Sequence, residues 1–217
     1  MGVENFFEFS CPVKIVSGTM ALSNLPHEMD QLGAHRAMIV TDQGVVNAGL
    51  IDIVKSAFEG SACEVGCVFD QTPPDSSNRI VNQVADQYLA RRCDCFVAVG
   101  GGSAMDTAKC ANIVVTEGTR DLMEFQGAER VKKQLKPFIA VPTTAGTGSE
   151  VTLVAMIYNV DEKQKMAFTS DKLYPSVAII DPRMTLTMPP KITAATGMDA
   201  LTHAIEAYVS NNINEPA

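Results

Sequence analysis

No basic cluster in this 217-residue chain exceeds Lys132-Lys133 with Lys136, and acidic residues outnumber basic ones by 25 to 17. The resulting net charge of −8 argues against a nucleic acid or an anionic membrane surface as partner. No apolar run approaches the roughly 20 residues that cross a bilayer, so no membrane partner is expected. The start, Met1 to Phe6, carries neither a basic region nor a long apolar one, which excludes a secretory signal from the reading. Phe6 stands where myristoylation at Gly2 would need Ser or Thr. Internal repeats and low-complexity tracts are also missing. None of the six cysteines (Cys11, Cys63, Cys67, Cys93, Cys95, Cys110) forms a C-x-x-C hook. Cys63/Cys67 and Cys93/Cys95 are spaced to share a strand face. They read as small buried thiols of a reducing cytoplasm, with a zinc site or a disulfide as the alternative.

What is present is ordinary for a globular enzyme: 46% hydrophobic and 19% charged residues. The length allows one large domain, or one complete domain and part of another. Short strands are expected at 6–9 and 13–16, then a helix between Gly18 and Leu32 that Pro26 breaks or delays. Strands at 36–41, 64–69, 95–99 and 138–141 alternate with helical patterns at 46–58, 76–91 and 103–114. The second of these helices is expected to bury Ile80, Val84, Tyr88 and Leu89. Such alternation predicts a parallel sheet wrapped by helices. A hairpin over 154–168, a strand at 177–180, a linker at Met188-Pro189-Pro190 and a helix from 191 to about 210 follow. His27 and His35 read as surface or capping residues.

Three stretches can carry chemistry. The run Cys95 to Val99 leads into Gly100-Gly101-Gly102-Ser103, and Ser103 with Asp106 predicts a capping box opening a helix. Three glycines let backbone N–H groups approach a ligand, and a helix N-terminus there suits a phosphate. A tight strand-to-helix connection is the other reading. The second stretch, Pro142-Thr143-Thr144-Ala145-Gly146-Thr147-Gly148-Ser149-Glu150, combines hydroxyls with bare backbone, as a sugar–phosphate chain requires, or simply caps the next element. Ligands on parallel sheets bind beyond the carboxyl ends of the strands, which places Asp42, Gly100–Ser103 and Pro142–Gly148 on one rim. In the third stretch Asp199 and His203 stand at i and i+4 on one helix face. They can share a borderline divalent cation, which needs further ligands, or merely hydrogen-bond each other on a surface helix.

Gly100-Gly101-Gly102-Ser103 with Asp106 and Lys109, the threonine loop to Glu150, and Ala195 to Glu206 with Asp199 and His203 together resemble the iron-containing (group III) alcohol dehydrogenases. The likeness runs from about Thr41 to Ser210, with the motifs in the family's order. It implies an α/β fold: a parallel-sheet, Rossmann-like dinucleotide-binding domain at 1–187, then at 188–217 the first helix of an all-helical metal-binding domain. It implies NAD and a divalent metal, Fe2+ or else Zn2+. By that likeness Gly101, Gly102 and Ser103 hold the pyrophosphate, with Asp106 in the same motif. Thr143, Thr144 and Thr147 line the cofactor, and Lys165 lies near its ribose. Asp42 holds the adenosine ribose, where its charge repels a 2′-phosphate and favours NAD over NADP. Asp199 and His203 are the first two metal ligands. Family members are nearly twice as long, and their other two ligands are histidines of a helical C-terminal domain. The chain is therefore expected to be the N-terminal portion of a longer, cytoplasmic, homo-oligomeric enzyme acting on a small alcohol or aldehyde. No side chain in this chain reads as a convincing general base. The alternatives are a catalytically incomplete NAD-binding module and a relative resembling the glycerol dehydrogenases.

Overall fold

The computed structural model describes residues 10–210. The strand expected at 6–9 lies outside them. Among the described residues, β1 (Lys14–Ser17) is followed by α1 (Leu25–Gln31), β2 (Arg36–Val40), α2 (Gln43–Asn47), α3 (Leu50–Ser56) and β3 (Glu64–Phe69). Then come α4 (Asn78–Ala90), β4 (Cys95–Gly100), α5 (Gly102–Glu117), β5 (Gly127–Ala128) and β6 (Phe138–Pro142). The hairpin β7 (Val154–Asn159) and β8 (Gln164–Thr169), β9 (Val177–Ile180) and α6 (Pro190–Val209) complete the order.

The main sheet has six strands in the order β1-β9-β6-β4-β2-β3, and every pairing in it is parallel. Its two faces follow the period-two alternation of side chains. Met38, Val40, Phe96, Ala98, Phe138 and Ala140 face α4, α5 and the β7–β8 hairpin, where Tyr88 stacks on Phe96 with centroids 4.3 Å apart. Ala37, Ile39, Cys95, Val97, Val99, Ile139 and Val141 face α1, α2 and α3. Both faces are covered, so β4 is a continuous apolar run with every residue buried. A smaller sheet, β5-β8-β7, packs its hairpin beside α5.

The strand order reverses at β2. From there the chain goes outward to β3, then crosses back to β4 on the other side. The helices that follow β2 and β4 therefore leave the sheet on opposite faces, opening a crevice between the two strand ends.

Four sequence expectations need correction. The helical pattern at 46–58 is two helices, because Gly49 adopts a left-handed conformation (φ 73°) between α2 and α3. The buried face of α4 is Val81, Val84, Ala85 and Tyr88, a clean i, i+3, i+4, i+7 set that leaves Leu89 58% exposed. Ser103 does not cap α5. Gly101 does, since the glycine turn allows helix to begin at Gly102, and Asp106 turns inward instead. Cys63 precedes β3, Cys93 precedes β4, and neither pair shares a face: Cys63 and Cys95 belong to one core, Cys67 and Cys93 to the other, with Cys110 also buried, Cys11 exposed and all six as free thiols. His27 and His35 are exposed, as expected.

Candidate functional site: a rim cleft and an adjoining recess

Asp42 lies two residues beyond β2 and caps α2, its Oδ1 accepting from the N–H of Val45 at 3.0 Å. This is an ordinary Asp N-cap, and it fixes the carboxylate at the crevice. The glycine turn lies directly opposite: a Cβ on Gly100 would stand 3.6 Å from Asp42 Oδ2. The first-turn N–H groups of the 16-residue α5 open into the same space, where the helix dipole adds partial positive charge. The third wall is the loop after β6, tied to β4 by Thr143 N–H donating to the Gly100 carbonyl at 3.0 Å. A Cβ on Gly101 would come within 3.1 Å of Thr144 Oγ1, and one on Gly102 within 3.1 Å of Thr147 Cγ2. The two glycines thus keep a narrow cradle between turn and threonine loop.

These walls enclose a cleft of about 770 Å³ that gathers Asp42, Gly101, Gly102, Ser103, Thr143, Thr144 and Thr147. Residues the sequence did not single out complete it: the Asp70–Pro74 loop after β3, and Met184, Met188, Ile192 and Thr196 from the approach to α6 and its first turns. The Asp70–Pro74 loop was readable in principle, because it too follows a parallel strand. The segment at 184–196 was not, since nothing local sends it back over the sheet.

A second recess of about 560 Å³ lies on the other side of the same turn. Gly102, Ser103 and Thr147 border both spaces. Asp106, Lys165, Asp199 and His203 line the recess and not the cleft. Lys165 reaches Asp75 Oδ1 at 2.5 Å. Asp106 accepts from Ser149 Oγ at 2.8 Å and from Met156 N–H at 3.0 Å. Burial pushes its carboxyl pKa upward, against the opposing pull of those donors and of Lys109. The Lys109 ammonium, 1% exposed, donates to the carbonyls of Ser149, Thr152 and Val154 at 2.8, 2.8 and 2.9 Å. Burial pulls its pKa down to about 8, with Asp106 partly opposing. In the sequence Lys109 and Ser149 stand within the two motifs but without a role of their own. A lysine inside an otherwise apolar helix face was the available signal.

The residues present fit a dinucleotide well. The cradle leaves little room for a side chain, and the buried hydroxyls of Thr72 in the cleft wall and Ser76 in the recess wall have no hydrogen-bond partner among the described residues. For a metal the fit is partial. His203 Nε2 and Asp199 Oδ1 stand 3.8 Å apart on one face of α6, suited in type to a borderline divalent ion. Among the described residues no group of three or more His, Cys, Asp or Glu converges on such an ion.

Comparison with known proteins identifies the family and the fold. A family model described as "Iron-containing alcohol dehydrogenase" matches residues 12–182. The chain belongs to that family. It is 39% identical over 206 residues to the NAD-dependent methanol dehydrogenase of Bacillus methanolicus, a match that covers 95% of this chain and 53% of that protein. It is 42% identical over 200 residues to the 4-hydroxybutyrate dehydrogenase of Cupriavidus necator, covering 91% and 51%. Among solved structures, a 1,3-propanediol oxidoreductase superposes with a TM-score of 0.92 at 36% identity, over 98% of this chain and 55% of that one. The chain therefore spans about half the length of the family members it matches. The α/β Rossmann-like reading holds, and the described fold is that of the family's N-terminal half.

Proposed function

We propose that this chain supplies the NAD site and two metal ligands of an alcohol dehydrogenase that passes hydride between a small alcohol and NAD. The observation that carries the proposal is the double role of one turn. Gly102, Ser103 and Thr147 border both the cleft and the recess that holds Asp199 and His203, so a cofactor along the rim ends beside the metal pair. Residues 1–187 form the cofactor domain in this reading, and 188–217 begin the metal-binding one.

The residues divide the work by chemistry. N–H groups of Gly102 and Ser103, at the positive end of α5, take the pyrophosphate. Asp42 accepts from ribose hydroxyls and repels a 2′-phosphate, which selects NAD. Thr143, Thr144 and Thr147 hold the cofactor against the turn, and Lys165 presents its ammonium from the recess side. Asp106 fixes the floor between the two spaces through Ser149 and Met156. Asp199 and His203 provide one carboxylate and one imidazole. A bound Fe2+ or Zn2+ supplies Lewis acidity toward the substrate oxygen, and NAD supplies the hydride acceptor. Enclosure between the α/β rim and α6 orients the carbinol carbon and limits access of water.

The test uses the native protein loaded with ferrous ion. Asp199→Ala and His203→Ala should each lose the metal on gel filtration and lose turnover, while the Kd for NADH moves less than about threefold, since neither residue lines the cleft. Unchanged metal content in both variants would refute the ligand assignment. That only two such ligands converge among the described residues also supports a second reading, in which these residues bind NAD without turning it over. NADH formation by the 217-residue chain given ferrous ion and a primary alcohol would eliminate it.

A further inference from the structure

Helix α6 carries Asp199 and His203, yet none of its residues is buried. Among its contacts with the rest of the described residues, one is very close. A Cβ built on Gly146 would lie 2.5 Å from the carbonyl oxygen of Thr196, 2.9 Å from its Cβ and 3.0 Å from its carbonyl carbon. Loop backbone meets helix backbone there with no side chain between them. Gly146 is not among the residues with positive φ, so its missing side chain answers to the space and not to the dihedral. Gly148, two residues on, is the reverse case: its φ is 63°, and a Cβ there would meet only Thr152 Cγ2 at 3.9 Å.

The two partners of this contact stand at decisive places. Gly146 sits between Thr144 and Thr147, both of which wall the cofactor cleft. Thr196 is three residues before Asp199, a neighbour on the same helix face. We propose that Gly146 is a positioning residue: its backbone is the stop against which α6 seats, and it sets the separation between the nicotinamide end of the cofactor and the Asp199/His203 pair. The inference rests on the function proposed above.

The size of the effect follows from the gap. A carbon at 2.5 Å from a backbone oxygen must retreat beyond 3.0 Å to be tolerated, and ordinary contact begins at 3.4 Å. The carbonyl belongs to a hydrogen-bonded helix and cannot swing aside alone, so α6 moves as a body. A shift of under an ångström at the reacting atoms costs on the order of 10- to 100-fold in rate.

In the native protein, Gly146→Ala should lower kcat by about 10- to 100-fold and raise the primary deuterium isotope effect as hydride transfer becomes limiting. The Kd for NADH, the melting temperature and the metal content should stay near wild type. With Mn2+ as the probe in the metal site, paramagnetic relaxation of the C4 proton of bound NAD should weaken in the variant, which measures the separation without turnover. Unchanged kcat and unchanged relaxation would overturn the proposal. So would lost NADH affinity with unchanged relaxation, which would make Gly146 part of the cofactor site alone. Failure of the wild type to bind NADH or metal would instead refute the function on which the inference rests. If the variant does not fold, hydrogen exchange on the unaltered protein decides: loading metal at Asp199/His203 should slow exchange of the amides at 143–148, and no slowing there would refute the coupling.

Discussion

Replacing Lys109 with methionine isolates one buried charge and the loop it holds. The methionine stem fills nearly the same volume, so packing at this buried position of α5 is largely kept. What is lost is the ammonium that joins the carbonyls of Ser149, Thr152 and Val154, three acceptors within 2.9 Å. Each carbonyl left without a donor costs about 1–3 kcal/mol, and relief from burying a cation offsets part of the sum. A net loss of about 3 kcal/mol is expected, which lowers the melting temperature by about 6–12 °C for a domain of this size. The released segment begins two residues after Thr147 of the rim cleft, so under the proposed function NADH should also bind more weakly.

The pH dependence carries a defined sign. The folded protein gives up the Lys109 proton near pH 8, while the unfolded chain keeps it to the ordinary value of 10.5. Between those values the unfolded state binds more protons, so this group makes the fold more stable as pH rises. The contribution is complete above the unfolded value and lost as pH falls through 8. Subtracting Lys109→Met from wild type removes the titration of all other groups. Thermal unfolding by circular dichroism from pH 7 to 10.5 gives both numbers. A destabilisation below about 1 kcal/mol, or a difference that does not change across that range, would refute the account.

Three further outcomes are expected. Asp42→Ala should cost about 1 kcal/mol through loss of the cap on α2, and should shrink the preference for NADH over NADPH at least about tenfold, as read from paired binding titrations. Gly102→Val places carbon against Thr147 Cγ2 and should weaken NADH binding by about 10- to 100-fold with little change in melting temperature; an unchanged Kd would show that the cradle is not the phosphate seat. Asp181 is 1% exposed and accepts from the N–H of Leu22 at 3.1 Å and from the Arg183 guanidinium at 2.7 Å. Asp181→Ala should cost about 3 kcal/mol in urea unfolding. The Arg183 partner lowers the Asp181 pKa from its usual 3.8, so this stabilisation is complete above about pH 4 and lost as pH falls through the folded value.

Much of the fold was legible because its signals are local. Cys95 to Gly100 needs a sheet covered on both faces to bury six consecutive residues, and the chain alternates such runs with amphipathic helices. The rule that parallel sheets bind ligands at their carboxyl ends then grouped Asp42, the glycine turn and the threonine loop, and the cleft draws Asp42, Gly101, Gly102, Ser103, Thr143, Thr144 and Thr147 from them. Local signals failed where two local solutions compete. Ser103 had the chemistry of a cap, but a glycine turn that can enter a helix two residues earlier made Gly101 the cap and freed Asp106 for Ser149 and Met156. Leu89 fitted a helical stripe as well as Ala85 did, and only the direction in which α4 meets β4 chose between them.

Sequence alone determined the kind of sheet, the rim and the residue types on it, because periodicity and turn chemistry are written within a few positions of each residue. Only the tertiary structure decided which residues share a space: Lys165, Asp106, Asp199 and His203 in one recess, and the other rim residues in the cleft. It also decided that Lys109 is a strut and that Gly146 lies against the backbone of α6. Each of those facts depends on a partner some 40 to 50 residues away, Ser149 for one and Thr196 for the other, and such a distance closes only when the sheet has been built.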